Sequence, residues 1–141
     1  MGEGRKLEKT LFIIKPDAVR RNNIGRILSI VEAAGLKVIA LKLVHLTTEQ
    51  AREFYEMHRG KDFYEKLVEF MTSGPCVVAV LEGDDVVSRL RALCGATDPS
   101  VAAPGTIRAE FGINITMNSV HASDSPSSAQ REVRFFFPEV I

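Results

Sequence analysis

The residue best suited to chemistry in this chain is His121, because a neutral imidazole nitrogen is a good nucleophile toward phosphorus at physiological pH. Ser123 and Asp124 follow it closely, and Glu132 lies within the next predicted helix. A carboxylate that accepts a hydrogen bond from one imidazole nitrogen fixes the tautomer and leaves the other nitrogen free to attack. The segment therefore favours covalent phosphoryl transfer over the alternative, a histidine with only a structural role.

Any phosphate would have to be bound by side chains, because the sequence has no Gly-x-x-x-x-Gly-Lys-Ser/Thr loop, no Gly-x-Gly-x-x-Gly and no His-Glu-x-x-His. Arginine offers a planar fork of donors that matches phosphate oxygens, and lysine offers a compact charge. The candidates are Lys15, Arg91, Thr97 and Arg108. Each could instead be an ordinary solvent-facing side chain. Lys15 is the most informative, because it is fixed between an apolar strand and Pro16.

Two aromatic residues could line a nucleotide site. Tyr55 and Phe63 flank Gly60 in a predicted helical hairpin. The phenol could bind phosphate and the phenyl ring could stack on a base, although helix-borne aromatics are more often core residues. The other histidines, His45 and His58, have no comparable cluster of neighbours, so we interpret them as structural or exposed.

The elements that must position these residues follow from periodicity and breakers, in the order β-α-β-α-α-β-α-loop-β-α. Strands are predicted at 10–14, 37–46, 76–81 and about 118–120, and helices at 24–34, 49–56, 62–71, from 84 or 85 to 93, and from 125 onward. In the second strand, Ile39, Leu41 and Leu43 are expected to share one face. Residues 95–117 show little periodicity and are a candidate binding loop. The order indicates an α+β sandwich whose helices cover a small, mostly antiparallel sheet.

Composition restricts the class of protein. The 141 residues fit one domain, 1–141, and 18 basic side chains balance 18 acidic ones, which gives no case for bulk nucleic-acid or membrane binding. The polar start is unlike a signal peptide, and no apolar run approaches the roughly 20 residues that span a bilayer. Cys76 and Cys94 suggest neither a disulfide framework nor a zinc site. We therefore expect a cytoplasmic protein.

Taken together, these residues resemble the nucleoside diphosphate kinase family from about residue 7 to residue 137. The motifs that carry the resemblance are Ile-Lys-Pro-Asp-Ala-Val at 14–19, Tyr55, Phe63, Ser-Gly-Pro at 73–75, Arg91, Thr97, Pro-Gly-Thr-Ile-Arg at 104–108 and the segment around His121. Their order and approximate spacing all agree with the family pattern.

The resemblance implies a ferredoxin-like fold with a four-stranded sheet, assembled as a homo-oligomer, either a tetramer or a hexamer. It also implies transfer of the γ-phosphate of a nucleoside triphosphate to a nucleoside diphosphate, with broad base specificity, in the maintenance of cellular nucleotide pools. The mechanism would be ping-pong through a phosphohistidine at His121, whose ring Glu132 and Ser123 would orient.

The resemblance assigns the remaining site residues as well. Phosphate and ribose contacts would come from Lys15, Tyr55, Arg91, Thr97, Arg108 and Asn118, of which Lys15 also belongs to the catalytic set. Phe63 and Ile115 would sandwich the base. Mg²⁺ would be carried mainly by the nucleotide phosphates, with Asp124 reaching it through water.

Two positions depart from the family pattern. Ala122 stands where glycine usually follows the histidine, and its Cβ would cost about 1 to 2 kcal/mol if that backbone needs a positive φ. Met117 stands where many members have arginine, which would alter a salt link or a subunit contact. Two alternative functions follow: a nucleotide-binding protein of weak activity because of Ala122, and a histidine phosphorelay module, which would leave the nucleotide contacts without a purpose.

Overall fold

The computed structural model describes residues 7–115 and 117–140. Within that part of the chain the strands are β1 (Leu7–Ile14), β2 (Lys37–Val44), β3 (Cys76–Asp84) and β4 (Val120–Ala122). The helices are α1 (Pro16–Arg20), α2 (Ile24–Ala33), α3 (Thr48–Phe54), α4 (Tyr64–Met71), α5 (Val86–Cys94), α6 (Ile107–Phe111) and α7 (Pro126–Phe136), with 3₁₀ turns at Glu56–His58 and Pro99–Val101. All strand pairs are antiparallel, in the order β2-β3-β1-β4. This confirms the predicted α+β sandwich with a ferredoxin-like, four-stranded sheet.

The two central strands are buried on both faces, which is why β1 and β3 have continuous apolar runs rather than an alternating pattern. On one face, Phe12 and Ile14 pack in a core with residues of α2 and α5. On the other face, Leu11 and Ile13 pack in a second core with residues of α3, α4 and α7. The sheet therefore separates two apolar cores and holds β1, from which the site is built, rigidly between them.

The edge strand β2 differs from its predicted pattern. A register shift between Val38 and Ala40 marks a β-bulge at Ile39, which packs against the core on the α3 side. Leu41 and Leu43 consequently lie on the other face of the sheet and are 51% and 64% exposed. The prediction that Ile39, Leu41 and Leu43 share one face is wrong, because the extra residue of a bulge reverses the alternation that follows it.

Two short helices lie where none was predicted. Pro16 ends β1, as predicted, but it also occupies the first turn of α1, where its fixed φ is favourable. The segment 95–117 contains the 3₁₀ turn at Pro99–Val101 and α6, whose N-cap Thr106 accepts a hydrogen bond from the backbone N–H of Ala109. Five-residue helices such as α1 and α6 are too short to show helical periodicity. Their sequence signals are Pro16 in the first turn of α1 and the N-cap Thr106 of α6.

The helix that follows β4 begins as predicted. Ser125 is the N-cap of α7, its hydroxyl accepts a hydrogen bond from the backbone N–H of Ser128 at 3.1 Å, and Pro126 occupies the first turn. None of the helices formed by residues 7–115 and 117–140 is long and apolar enough to cross a bilayer.

Candidate active site

The pairing of β1 with β4 brings together two distant parts of the chain. Ile13 of β1 lies opposite His121 of β4, and the backbone N–H of Lys15 donates to the carbonyl of Ser119 at 2.8 Å. Because Lys15 follows β1 immediately and His121 lies inside β4, the two predicted catalytic residues occupy neighbouring positions at one edge of the sheet.

The imidazole of His121 is held by a single carboxylate. Its Nε2 atom lies 2.9 Å from Oε1 of Glu132, and the hydroxyl of Ser123 donates to the same oxygen at 2.7 Å. Among the described residues, no hydrogen bond reaches Nδ1 of His121. An ionised carboxylate only accepts hydrogen bonds, so Nε2 carries the proton and Nδ1 keeps its lone pair.

Glu132 is suited to remain ionised although it is only 4% exposed. Burial alone would raise the pKa of its carboxyl, but hydrogen bonds from His121 and Ser123 and nearby positive charge, including Arg131, hold that pKa below its usual value. The guanidinium of Arg131 lies 3.3 Å from Oε2, the oxygen that the histidine does not use. Glu132 can therefore orient the imidazole and stabilise positive charge on it.

Aromatic rings fix the plane of the imidazole from the side. The rings of Phe54 and Tyr55 meet the ring of His121 edge-on, with centroid distances of 5.5 Å and 6.3 Å. Phe54 is buried in the core on the α3 side of the sheet. The hydroxyl of Tyr55 is buried and has no hydrogen-bond partner among the described residues. A phosphate or ribose oxygen of a bound nucleotide would satisfy it.

Lys15 is buried at the floor of the site, and its Nζ donates to Oδ1 of Asn118 at 2.9 Å. The side-chain amide of Asn118 donates in turn to the carbonyls of Thr97 and Ile115, at 3.0 Å and 2.9 Å. The pKa of Lys15 is lowered to about 8, mainly by burial and to a smaller extent by the positive charge of Arg108, whereas the charge of Asp17 raises it. A bound anionic ligand would raise this pKa again, because its negative charge favours the protonated form of the buried amine.

Arg108 is fixed by carbonyls from two elements. Its Nη1 donates to the carbonyl of Gly95 at 2.8 Å and its Nη2 to the carbonyl of Val120 at 2.9 Å, whereas its buried Nε has no partner among the described residues. Burial lowers the pKa of the Arg108 guanidinium. Gly95 has a φ of +85°, and a Cβ there would lie 2.5 Å from Oγ1 of Thr106. Only glycine fits this position beside Arg108.

Two further predicted site residues lie at the surface. Arg91, on α5, and Asp124, just after β4, are both exposed. A hydrogen bond from Ser128 lowers the pKa of Asp124, burial opposes this, and the charges of Arg91 and His121 lower it further. The structure therefore places Arg91 close to Asp124, and Asp124 close to His121.

The predicted base-binding residues are both accessible. Phe63 precedes α4 and is 45% exposed, and Ile115 lies near the end of the segment 95–117 and is 60% exposed. A row of ring contacts leads from Phe63 to His121. The ring of Phe63 lies 5.0 Å from the ring of His58, and His58 stacks on Tyr55 at 6.3 Å. Tyr55 in turn contacts His121.

His58 lies beside the predicted nucleotide site, a position that the sequence did not indicate. We interpreted it as structural or exposed; it is partly exposed and lies between Phe63 and Tyr55, where the charges of His121 and Asp124 act on it. Burial and the charge of Lys61 lower its pKa, with a smaller contribution from His121, whereas Asp124 raises it. The available sequence signal was its position three residues after Tyr55, which places both rings on one side of a helical turn.

Neither departure from the family pattern introduces a positive φ into the backbone. Ala122 lies within β4 opposite Phe12, is 7% exposed, and is not among the described non-glycine residues with positive φ. The strain that would weaken the site is therefore absent. Met117 closes a turn, because its carbonyl accepts from the backbone N–H of Ile113 at 2.7 Å.

Within the described residues, no three His, Cys, Asp or Glu side chains converge on a possible metal position.

Comparisons with known proteins agree with this geometry. The family model NDK, nucleoside diphosphate kinase, matches residues 8–140. The chain is 55% identical over 134 residues to the nucleoside diphosphate kinase of Hydrogenovibrio crunogenus, with 95% of each chain covered. It superimposes on the crystal structure of the Aquifex aeolicus nucleoside diphosphate kinase with a TM-score of 0.92 and 48% identity, covering 94% of this chain and 96% of that one.

A second solved structure is that of a halophilic nucleoside diphosphate kinase from Halobacterium salinarum in complex with CDP. Its TM-score is 0.91 at 41% identity, covering 94% of this chain and 88% of that one. The chain thus belongs to the nucleoside diphosphate kinase family, and it is an enzyme that transfers phosphate between nucleoside triphosphates and nucleoside diphosphates.

Proposed function

We propose that transfer is ping-pong through a phosphohistidine at Nδ1 of His121. The observation that carries this proposal is the hydrogen bond of Nε2 to Glu132, which leaves Nδ1 with its lone pair. That lone pair attacks the γ-phosphorus, an N–P bond forms, and the bond to the bridging oxygen breaks as the nucleoside diphosphate leaves. A β-phosphate oxygen of the second nucleotide then attacks the phosphorus, and the N–P bond breaks.

The phosphates are held by positive charge fixed before the nucleotide binds. Lys15 is buried and Arg108 is partly buried. Hydrogen bonds anchor Lys15 to Asn118, and Arg108 to Gly95 and Val120. Charge that does not reorganise during reaction stabilises the negative charge of the transferring group most effectively. The other phosphate and ribose contacts that we propose are Tyr55, Arg91, Thr97 and Asn118.

The base is proposed to lie between Phe63 and Ile115. Every base has a π face, so stacking on Phe63 tolerates purines and pyrimidines alike and supports broad nucleotide specificity. Such specificity suits an enzyme that maintains cellular nucleotide pools. The complex of the Halobacterium salinarum relative with CDP is consistent with a pyrimidine nucleotide as ligand.

Mg²⁺ is proposed to accompany the nucleotide. Asp124 is exposed, and its lowered pKa keeps the carboxylate ionised, which fits a metal that brings its own waters and phosphate ligands. Asp124 would then contact the ion through water. Bound Mg²⁺ would neutralise part of the phosphate charge.

We also propose a homo-oligomer, a tetramer or hexamer. In the sheet that residues 7–115 and 117–140 form, β2 is an edge strand, and its Leu41 and Leu43 are exposed. Both features support burial against a second copy of the chain. Sedimentation equilibrium would test this. The single domain 1–141, the cytoplasmic location and the expectation of no membrane or specific nucleic-acid partner stay predictions from the sequence.

The decisive experiment labels the enzyme with ATP carrying ³²P at the γ-position. We expect an acid-labile, alkali-stable phosphoprotein that GDP discharges, and no labelling of His121→Ala. His45→Ala is the matched control, because His45 is exposed and bonded to the carbonyl of Thr72 instead. Normal labelling and turnover by His121→Ala would overturn the proposal.

A further inference from the structure

Ser119 has an unusual backbone conformation for a residue with a side chain. Its φ is +77°, and the N–H of Val120 donates to the carbonyl of Asn118 at 3.0 Å, which closes a three-residue turn around it. A γ-turn with positive φ at its centre is rare and strained. Strained residues of this kind persist only where their surroundings hold them in place.

This turn joins two parts of the active site. On its N-terminal side, Asn118 accepts the hydrogen bond of Lys15. On its C-terminal side, β4 begins at Val120 and carries His121. The direction of the chain at Ser119 therefore sets the position of the lysine partner relative to the nucleophile.

One buried carboxylate supports the turn. Oδ2 of Asp17 accepts from the backbone N–H of Ser119 at 3.1 Å and from Nη2 of Arg21 at 3.2 Å. Asp17 is 3% exposed, and its Oδ1 is buried without a hydrogen-bond partner among the described residues. The same Nη2 of Arg21 also donates to the carbonyl of Phe111, at the end of α6.

These contacts connect three segments of the site through two side chains, those of Asp17 and Arg21. Asp17 lies on α1 two residues after Lys15, Ser119 precedes β4, and Phe111 ends the helix that carries Arg108. An acidic residue in the first turn of α1 would also interact favourably with the helix dipole, but an exposed carboxylate would suffice for that. A buried carboxylate that bonds the amide of a strained turn indicates a more specific role.

We propose that Asp17 is a positioning residue of the phosphoryl-transfer reaction, acting by holding Ser119 in its left-handed turn so that Asn118, Lys15 and His121 stay aligned. The proposal rests on the function proposed above. Asp17 would touch neither nucleotide nor phosphorus. Its effect would pass through the backbone of Ser119 and through its charge on Lys15.

The test is a double-mutant cycle of Asp17→Ala and Ser119→Gly, measured by steady-state turnover with ATP and a nucleoside diphosphate. We expect Asp17→Ala to lower kcat/KM on the order of tenfold or more, because the turn loses its anchor. Ser119→Gly alone supplies the reference value of kcat/KM for the cycle, because it changes the turn while Asp17 is still present. In the double variant, glycine adopts positive φ without a Cβ penalty, so most of the lost activity should return.

A second readout separates positioning from general stability. Asp17 raises the pKa of Lys15, whereas burial and Arg108 lower it. Asp17→Asn should therefore move the alkaline limb of the kcat/KM profile to lower pH, which loss of folded protein alone would not do. Asp17→Asn, combined with Ser119→Gly, also serves if Asp17→Ala does not fold.

Val31→Ala is the control for destabilisation, because Val31 is fully buried in α2 away from the site. Its kcat/KM per folded molecule should be that of wild type. Wild-type activity in Asp17→Ala, or a loss without rescue by Ser119→Gly and without the pH shift, would overturn the positioning role. Failure of the proposed function would appear separately, as wild-type enzyme that forms no phosphohistidine.

Discussion

Nε2 of His121 lies 2.9 Å from Oε1 of Glu132, although the histidine belongs to β4 and the glutamate to α7. The oxygen that meets the imidazole also accepts from Ser123. The hydroxyl of Ser123 therefore holds the carboxylate of Glu132 in the position from which it contacts the imidazole. Because this carboxylate is bonded directly to the imidazole, its negative charge should influence the reactivity of His121 more than that of any other residue described above.

We expect Glu132→Gln to lower the rate of His121 phosphorylation on the order of ten- to hundredfold. The amide keeps the shape but removes a charge-assisted hydrogen bond, worth about 1.5 to 3 kcal/mol, and each 1.36 kcal/mol is about tenfold in rate. Rapid-quench measurement of the first half-reaction reports this step. Glu139→Gln is the matched control, because Glu139 is an exposed carboxylate paired with Lys42. Equal rates in Glu132→Gln and wild type would contradict the role of Glu132.

The pH profile of kcat/KM should be bell-shaped. On the acid side, activity should fall as the imidazole of His121 becomes protonated, because a protonated imidazole has no lone pair for attack. On the alkaline side, activity should fall above about pH 8, because Lys15 must be protonated to hold phosphate and burial lowers its pKa to about 8. A profile that stays level to pH 10 would show that the charge of Lys15 is not required.

The sequence indicated candidate side chains for this site, but not all of the backbone that positions them. Lys15 and His121 were selected from their neighbours in the sequence, and the pairing of β1 with β4 places them at one edge of the sheet. The bulge at Ile39 and the turn at Ser119 were not predicted. Both depend on contacts with distant segments, and neither residue type signals a bulge or a positive φ.

Local sequence signals also explain why some helices were predicted and others were not. The helix α7 was predicted from its serine cap and proline, because these are local signals. The short α6 lacks periodicity, and His58 is recognisable only once the hairpin brings it beside Phe63. Tertiary structure, not local propensity, decides both.

Replacing Ala122 by glycine should leave kcat within about twofold of wild type. The methyl group is buried in β4 at a backbone without positive φ, so glycine relieves no strain there. It should instead destabilise the fold by about 1 kcal/mol, through lost burial and backbone entropy. Coupled-assay turnover and urea denaturation measure the two effects. A sharp rise in turnover would support the alternative of a weak enzyme limited by Ala122.

Truncating Phe63 to alanine should raise KM by a similar factor for purine and pyrimidine nucleotides. Stacking on an aromatic ring is worth about 1 to 3 kcal/mol per base and does not depend on base-edge hydrogen bonds. Met57→Ala is the control, because Met57 is comparably exposed at 48% in the same hairpin, against 45% for Phe63. An effect confined to one base would show that the site recognises a base edge.

Gly95→Ala should impair both stability and activity. At a φ of +85°, alanine costs about 1 to 2 kcal/mol, and its Cβ would lie 2.5 Å from Oγ1 of Thr106, which forces a local shift. Because the Gly95 carbonyl anchors Arg108, that shift should raise KM for nucleotides as well. Gly25→Ala is the matched control: Gly25 lies in α2 with nothing within 4 Å of its Cβ position, so alanine should stabilise by about 0.5 to 1 kcal/mol without changing KM. Equal KM values in Gly95→Ala and Gly25→Ala would show that Arg108 keeps its position without the Gly95 carbonyl.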